Sequence, residues 1–500
     1  MTTSVAGRTA IGAGWMVAWR MVSRGLGLIS TLILARLLVP ADFGLIAMAV
    51  AFTGAVSYLS AMGVTDALIR RPDTNEEWFN TAFGFQAYRG LLNGAVIIAG
   101  TGPAVEWFSE PRLGPILYVV AATAVLAGFE NVGMVEYRRS IQFDIEFRLL
   151  IIPRLLQFFG GIGMALVIAD YRAMLFGSAL FAVSRFIMTY RLHPWRPNLR
   201  VAFRVEHWRG LLSFSAWTWA AGLGSLVWER CDPFILGPAL GTSKLGGYLL
   251  AAEIATLPVT EIVAPAMAAL YAGISVARAQ GTNVAAIAPT LILALLTVLA
   301  PITIGLSATS GYLVTGLLGP QWQELRPMIA VFCLTGILSP IAFTCNTLLT
   351  SQGLVRRGFL AIAGSAIARA IAMTVLVRAN LTDFAPAAAV AVTAIEAAFF
   401  LTQIPLRNDP AWRSHLLGLA RITIAAAITA TAFLASGTAW QPVALSPILA
   451  LLIGGSLGLM GIALFLACQF ALWWACGSPD GAERHVFTML RSARRRTQPA

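Results

Sequence analysis

Residues 35–49 read ARLLVPADFGLIAMA, with Arg36, Pro40 and Asp42 falling inside seven residues of an otherwise apolar stretch. Proline is tolerated where a helix begins, and an acidic residue suits a helix N-terminus. The stretch therefore reads as a bend between two apolar helices. The rest of the chain decides whether that bend lies in a soluble core or at a membrane surface. Of 500 residues, 58% are hydrophobic and 12% are charged, and the mean hydropathy is +0.76. A soluble domain carries about 25% charged residues, so these charges could not cover a soluble surface. The chain is expected to be an all-α polytopic membrane protein. The bend then sits at the outer headgroups, with Arg36 and Asp42 at two helix ends and Gly44 giving room for close backbone approach.

A span needs about 20 apolar residues. Apolar runs between polar breaks give fourteen expected segments: 12–35, 43–63, 82–101, 115–136, 150–169, 173–190, 211–236, 245–271, 285–308, 327–349, 358–377, 385–405, 416–436 and 446–474. With the N-terminus inside, the odd-side connections and tail hold 21 Arg, including Arg70, Arg71, Arg138, Arg139, Arg191, Arg196, Arg356, Arg357 and Arg494–Arg496. The opposite side holds 6 basic residues: Arg36, Arg112, Arg172, Lys244, Arg326 and Arg378. This bias places both termini in the cytoplasm. It also accounts for the net charge of +12 without nucleic acid as a partner. The outer loops are too short to form a catalytic domain. The largest connection, 191–210, ends in an alternation of apolar residues and Arg that reads as an interfacial helix.

The first and seventh segments look like two copies of one unit. At an offset of 202, Trp15 falls on Trp217 and Phe43-Gly44 on Leu245-Gly246, so RLLVPADFGLIAMA aligns with PALGTSKLGGYLLA. In the seventh segment Ser215, Thr218, Gly222, Ser225, Glu229 and Asp232 share one helical stripe, whose counterparts are Ala13, Met16, Arg20, Ser23, Gly27 and Ser30. Arg24 extends that face by a turn. The expected architecture is about fourteen helices in two pseudo-symmetric bundles around a central cavity lined by these faces. Its parts are an N-terminal six-span bundle (1–190), a cytoplasmic linker (191–210), a second six-span bundle (211–405), two additional spans (406–474) and a basic cytoplasmic tail (475–500).

An ionisable side chain at mid-membrane costs about 2.5–3.5 kcal/mol on insertion scales and marks a functional candidate. Arg20, Arg24 and Ser23 are the cavity candidates of the first segment. A guanidinium presents forked donors that suit phosphate oxygens. Glu229, Asp232, Glu253 and Glu261 are candidate cavity carboxylates, suited to coupling a proton or sodium ion. Snorkelling of the arginines and ion pairing of the acids are the competing structural roles. Glu130, Arg154, Arg185, Arg369 and Glu396 are weaker candidates.

ARLLVPADFGLIAMA, GVTDALIRR (63–71), EYRRSIQF (136–143) and LGTSKLGGYLLAAEIATLP (240–258) together resemble the polysaccharide transporter family. These are the Wzx-type lipid-linked oligosaccharide flippases, in the superfamily that also holds multidrug exporters and the lipid II flippase. The resemblance runs from about residue 8 to about residue 360. It implies alternating access, an electropositive cavity, and transfer of an undecaprenyl-diphosphate-linked oligosaccharide between leaflets of the bacterial inner membrane. Exopolysaccharide, capsule or O-antigen (lipopolysaccharide) synthesis would be the pathway, with its polymerase and chain-length regulator as candidate partners.

Two alternatives stay open. A drug antiporter of the same superfamily would want an acidic, aromatic site, and the Arg pair argues against it. A polymerase or ligase enzyme would want a base or nucleophile facing a lipid-linked sugar. The four His (His193, His207, His415, His485) all fall on the expected cytoplasmic side, and HExxH and GxxxxGK[ST] are absent from the sequence. No cofactor or metal site is expected, since the five Cys show no ligand spacing.

Overall fold

In hydrocarbon a backbone must satisfy its own polar groups, which selects helices for apolar runs of this length. The computed structural model describes residues 5–60, 68, 76–140, 142–198, 208–263, 265–267, 288–403, 412–441 and 443–477. The expected interfacial helix in 191–210 and the basic tail fall largely outside the described residues. The helices are α1 (Val5–Leu37), α2 (Pro40–Leu59), α3 (Glu76–Phe108), α4 (Leu113–Gly128), α5 (Val135–Arg139), α6 (Phe143–Ile168), α7 (Arg172–Leu192) and α8 (Trp208–Pro258). They continue with α9 (Ala288–Ala308), α10 (Ser310–Leu313), α11 (Leu325–Phe332), α12 (Thr335–Ser351), α13 (Val355–Arg378), α14 (Ala385–Thr402), α15 (Trp412–Ala435) and α16 (Pro447–Ala475).

The protein is thus a polytopic all-α membrane protein. Among the described residues eleven helical stretches are long and apolar enough to span, or twelve when α4 and the segment after its 62° bend count as one. The expectation of fourteen differs for two reasons. Segments 211–236 and 245–271 merge in α8, whose backbone breaks at Gly241 (φ 69°, ψ 178°), and α1 is not among the eleven.

The chain forms two compact units, Met1–Gly246 and Gly247–Ala500. In the first, α1 runs parallel to α6. Trp15 meets Phe147 at 5.0 Å between ring centroids, and Leu34 and Leu38 share a core with Ala165 farther along. The pairs α3/α4 and α6/α7 are antiparallel, with small residues at the crossings: Gly90 against Gly128 and Gly161 against Gly177. Such contacts let membrane helices approach closely.

The opening stretch behaves differently from a plain hairpin. Pro40 begins α2, and the Asp42 carboxylate accepts the Val39 N–H at 3.2 Å, so the cap is real. Yet Asp42 is buried, and the backbone N–H of Tyr171 in the α6–α7 turn also donates to it. The Asp42 carboxylate is therefore sealed against a second turn of the same unit. Gly44 packs on the second copy of its own motif. A Cβ at Gly44 would strike the Thr242 carbonyl, and one at Gly246 would strike the Pro40 carbonyl and lie 2.7 Å from the Gly44 nitrogen. The two hydrophobe-glycine landmarks thus touch reciprocally, the pattern of a two-fold contact.

In the second unit α9 is central. Ile292, Leu293, Leu296 and Ala300 pack with Leu349 of α12, Phe400 of α14, Ile422 of α15 and Phe465 of α16. Helices α15 and α16 therefore share the core of this unit. A cavity of about 130 Å³, lined by Ser307, Leu334, Phe433 and Trp440 among others, opens beside α9.

Candidate functional site

Helix α1 stays unbroken through the candidate face because Arg20 to Gly27 contains no proline and only two glycines. Arg20, Ser23 and Arg24 project within about two turns of Gly27. Arg20 and Arg24 are exposed and Ser23 is half-buried within the unit. Gly27 lies against Arg154 of α6, where a Cβ would sit 2.9 Å from the guanidinium Nη2. Arg154 Nη1 donates to Gln157 Oε1 at 2.7 Å. The seam between α1 and α6 therefore holds the Arg154 guanidinium near the middle of both helices, against a position three residues from Arg24. The sequence offers Gly27 only as the repeat partner of Glu229. Its spacing of three residues from Arg24 is the signal that places it on the same face.

Other candidates lie elsewhere. Asp232 is buried at 7% exposure in α8 and accepts the Cys231 thiol at 3.4 Å. Arg230 rests in a second glycine notch, since a Cβ at Gly54 of α2 would lie 3.0 Å from its Nε. The Glu229 side chain lies outside the described residues. Glu253 and Glu261 belong to the second unit and are exposed, and Glu261 accepts the Thr260 hydroxyl at 3.3 Å. The structure thus joins Arg20, Ser23 and Arg24 on one face, and places Asp232 in the same unit.

The weaker candidates are mostly ion pairs. Arg185 Nε lies 2.9 Å from Glu130 Oε1 as an ion pair, with Arg89 adding attraction. Glu396 of α14 sits beside Arg369 and accepts the Ser365 hydroxyl of α13. Each pair satisfies a charge that hydrocarbon would penalise.

The two ends of the first unit differ. One end carries Glu110 and Arg112, in the α3–α4 connection, joined by two contacts of 2.9 Å. The guanidinium holds the Glu110 carboxyl below its ordinary range. At the other end Asn131 fixes residues 193–198: its amide donates to the Trp195 carbonyl at 2.9 Å and its oxygen accepts the Gly133 N–H at 2.8 Å. Trp195 packs tilted against Phe79 and edge-on against Phe83. Asn80 accepts the Asn198 N–H at 2.6 Å, and His193 Nε2 lies 3.2 Å from Glu136.

Guanidinium groups beside a hydroxyl offer donors of the kind that suit oxyanions. Known proteins place the chain. Residues 33–327 match the family model described as polysaccharide biosynthesis protein. The chain is 20% identical over 365 residues to the lipopolysaccharide biosynthesis protein WzxC of Escherichia coli K12, covering 70% of this chain and 72% of that protein. It is 24% identical to the succinoglycan biosynthesis transport protein ExoT of Rhizobium meliloti, covering 69% of each. It is also 25% identical to the teichuronic acid biosynthesis protein TuaB of Bacillus subtilis, covering 58% and 60%. Among solved structures, the lipid II flippase MurJ in an inward closed conformation superposes with TM-score 0.71 at 12% identity, covering 90% and 97%. A multidrug resistance MATE family transporter superposes with TM-score 0.57 at 14% identity, covering 76% and 93%. The chain belongs to the polysaccharide biosynthesis protein family.

Proposed function

We propose that this protein is a flippase. It moves an undecaprenyl-diphosphate-linked oligosaccharide from the inner to the outer leaflet of the bacterial inner membrane, by alternating access and with both of its own termini in the cytoplasm. The observation that carries this reading is the face of α1 on which Arg20 and Arg24 are exposed, with half-buried Ser23 beside them, rather than packed away inside its unit. A diphosphate crossing hydrocarbon loses its water, and forked, charge-assisted donors replace it. The relatives named as transport or polysaccharide biosynthesis proteins, and the fold shared with a lipid II flippase, support the same reading. Asp232, Glu229, Glu253 and Glu261 are the proposed coupling carboxylates for a proton or sodium ion. Transport by Asp232→Asn that still accelerates under an imposed gradient excludes Asp232 from that role.

The test is Arg24→Ala in a strain whose own copy is deleted. The variant should insert normally yet leave surface polysaccharide absent, with lipid-linked oligosaccharide retained on the inner leaflet. Normal polymer output contradicts the proposal. The fold shared with a MATE transporter keeps a drug antiporter as the second reading. Resistance to cationic drugs that depends on this gene, with unchanged polymer, would favour it.

A further inference from the structure

The arginines of the membrane segments are not alike in their partners. Arg185 has Glu130 at 2.9 Å, and Arg369 lies beside Glu396. Arg138, in the last turn of α5, has Glu146 at 2.6 Å. Arg154 has only the neutral amide oxygen of Gln157, at 2.7 Å, and no carboxylate among the described residues. Its position is central: 11 residues from Phe143 and 14 from Ile168 put it about 17 Å and 21 Å from the ends of α6. A charge at such depth without a counter-ion is the strongest kind of functional signal a membrane helix gives.

Snorkelling does not account for it. A helical side chain leans naturally toward the N-terminus of its helix, which here would carry Arg154 toward the nearer membrane surface. Instead Nη1 reaches one turn the other way, to Gln157, so the guanidinium stays at the centre. The second nitrogen, Nη2, fills the space where Gly27 lacks a side chain. That position is three residues from Arg24 and seven from Arg20, and so lies on their face of α1. Three like charges on one seam repel each other. An anion coming among them would offset that repulsion.

We propose that Arg154 is a third anion-binding guanidinium, positioned by Gln157 and the Gly27 notch, that takes phosphate oxygens of the transported molecule. This rests on the flippase reading and adds to it a residue on a different helix. Phosphate bound between α1 and α6 would be gripped from two sides rather than from one helix face.

The test measures binding of undecaprenyl diphosphate to the purified full-length protein in detergent, against undecaprenol and phosphatidylglycerol. Arg154→Gln should weaken diphosphate binding by about 10–100-fold, the range for a lost hydrogen bond to a charged group. Arg154→Lys should retain part of it. Gly27→Ala is the decisive variant, because the added methyl meets only the far end of a flexible side chain. It should not lower the unfolding midpoint, since alanine gains helix propensity, while displacing the guanidinium and weakening diphosphate binding. Gln157→Leu should do the same by removing the tether. Should Arg154→Gln fail to fold, these two variants decide the matter.

Wild-type protein that prefers the diphosphate, with Gly27→Ala and Gln157→Leu binding equally well, overturns the role of Arg154 and leaves the flippase reading standing. Wild-type protein that fails to distinguish diphosphate from undecaprenol overturns both. Phosphatidylglycerol competing on equal terms would assign the seam to a resident lipid headgroup and overturn the assignment to the transported molecule.

Discussion

Replacing Gly246 by alanine tests the reciprocal packing of the two motif copies. The new methyl would lie 2.7 Å from the Gly44 nitrogen, with the Pro40 carbonyl closer still, whereas ordinary contact begins at 3.4 Å. Both obstacles are backbone, so no rotamer change relieves them, and the helices must part by at least about 0.7 Å. Overpacking costs about 1–3 kcal/mol, and a backbone collision belongs at the upper end. Alanine recovers about 0.5–1 kcal/mol of helix propensity. The net expectation is a loss of about 2 kcal/mol. Gly163→Ala is the control, since nothing lies within 4 Å of its added methyl; that variant should gain the propensity term alone. The two should therefore differ by about 3 kcal/mol, roughly 100-fold in the folding constant. The assay is equilibrium unfolding of detergent-purified protein, each variant compared with wild type. Equal stability of Gly246→Ala and Gly163→Ala would refute the contact.

Further outcomes follow from the first unit. Glu130→Gln and Arg185→Gln should each cost about 2 kcal/mol, less than for a fully buried pair because the Arg185 side chain keeps 34% exposure. The double variant should cost less than the sum, and strict additivity in a double-mutant cycle would deny the pairing. Asn131→Ala removes the bonds to Trp195 and Gly133 and should cost about 2 kcal/mol. Hydrogen exchange of residues 193–198 should quicken in that variant, and unchanged protection would show that other contacts hold the segment. Glu110, held below its ordinary range by Arg112, contributes stability that is complete at neutral pH and fades as pH falls through the lowered value. The contribution is under about 1 kcal/mol, since Arg112 is largely solvated. Glu110→Gln should flatten the acid limb of the stability curve, and an unaltered limb assigns it to other carboxylates.

The class of fold was legible because hydropathy alone forbids a soluble surface, and the polar breaks mark helix ends well. Segments 150–169 and 173–190, parted only by DYR, correspond to α6 and α7, joined through Ala169 in the left-handed region (φ 45°). The repeat at offset 202 was visible in Gly44 and Gly246. Their mutual contact was not, because a pattern match carries no information about which copies touch. A charge beside an apolar run favours water, which puts Asp42 at the headgroups; it is buried because Val39 and Tyr171 satisfy its oxygens. The break in α8 hides in LGTSKLGG, where Gly241 takes a positive φ that no periodicity records. On the candidate site, helical spacing sufficed to unite Arg20, Ser23 and Arg24. Arg154 reached their seam through a tertiary contact with Gly27, which depends on helix packing and not on spacing within either helix.

The account turns on movement of a phosphate-linked saccharide between leaflets. The direct measurement is transport by the purified protein in sealed proteoliposomes carrying undecaprenyl-diphosphate-linked oligosaccharide on one leaflet, followed by an impermeant sugar-specific probe on the other. Exposure of the saccharide at a rate that rises with the amount of wild-type protein, and stays at the protein-free level with Arg24→Ala, is the predicted result. Wild-type vesicles that expose no more saccharide than protein-free vesicles, with or without an imposed proton or sodium gradient, would contradict it.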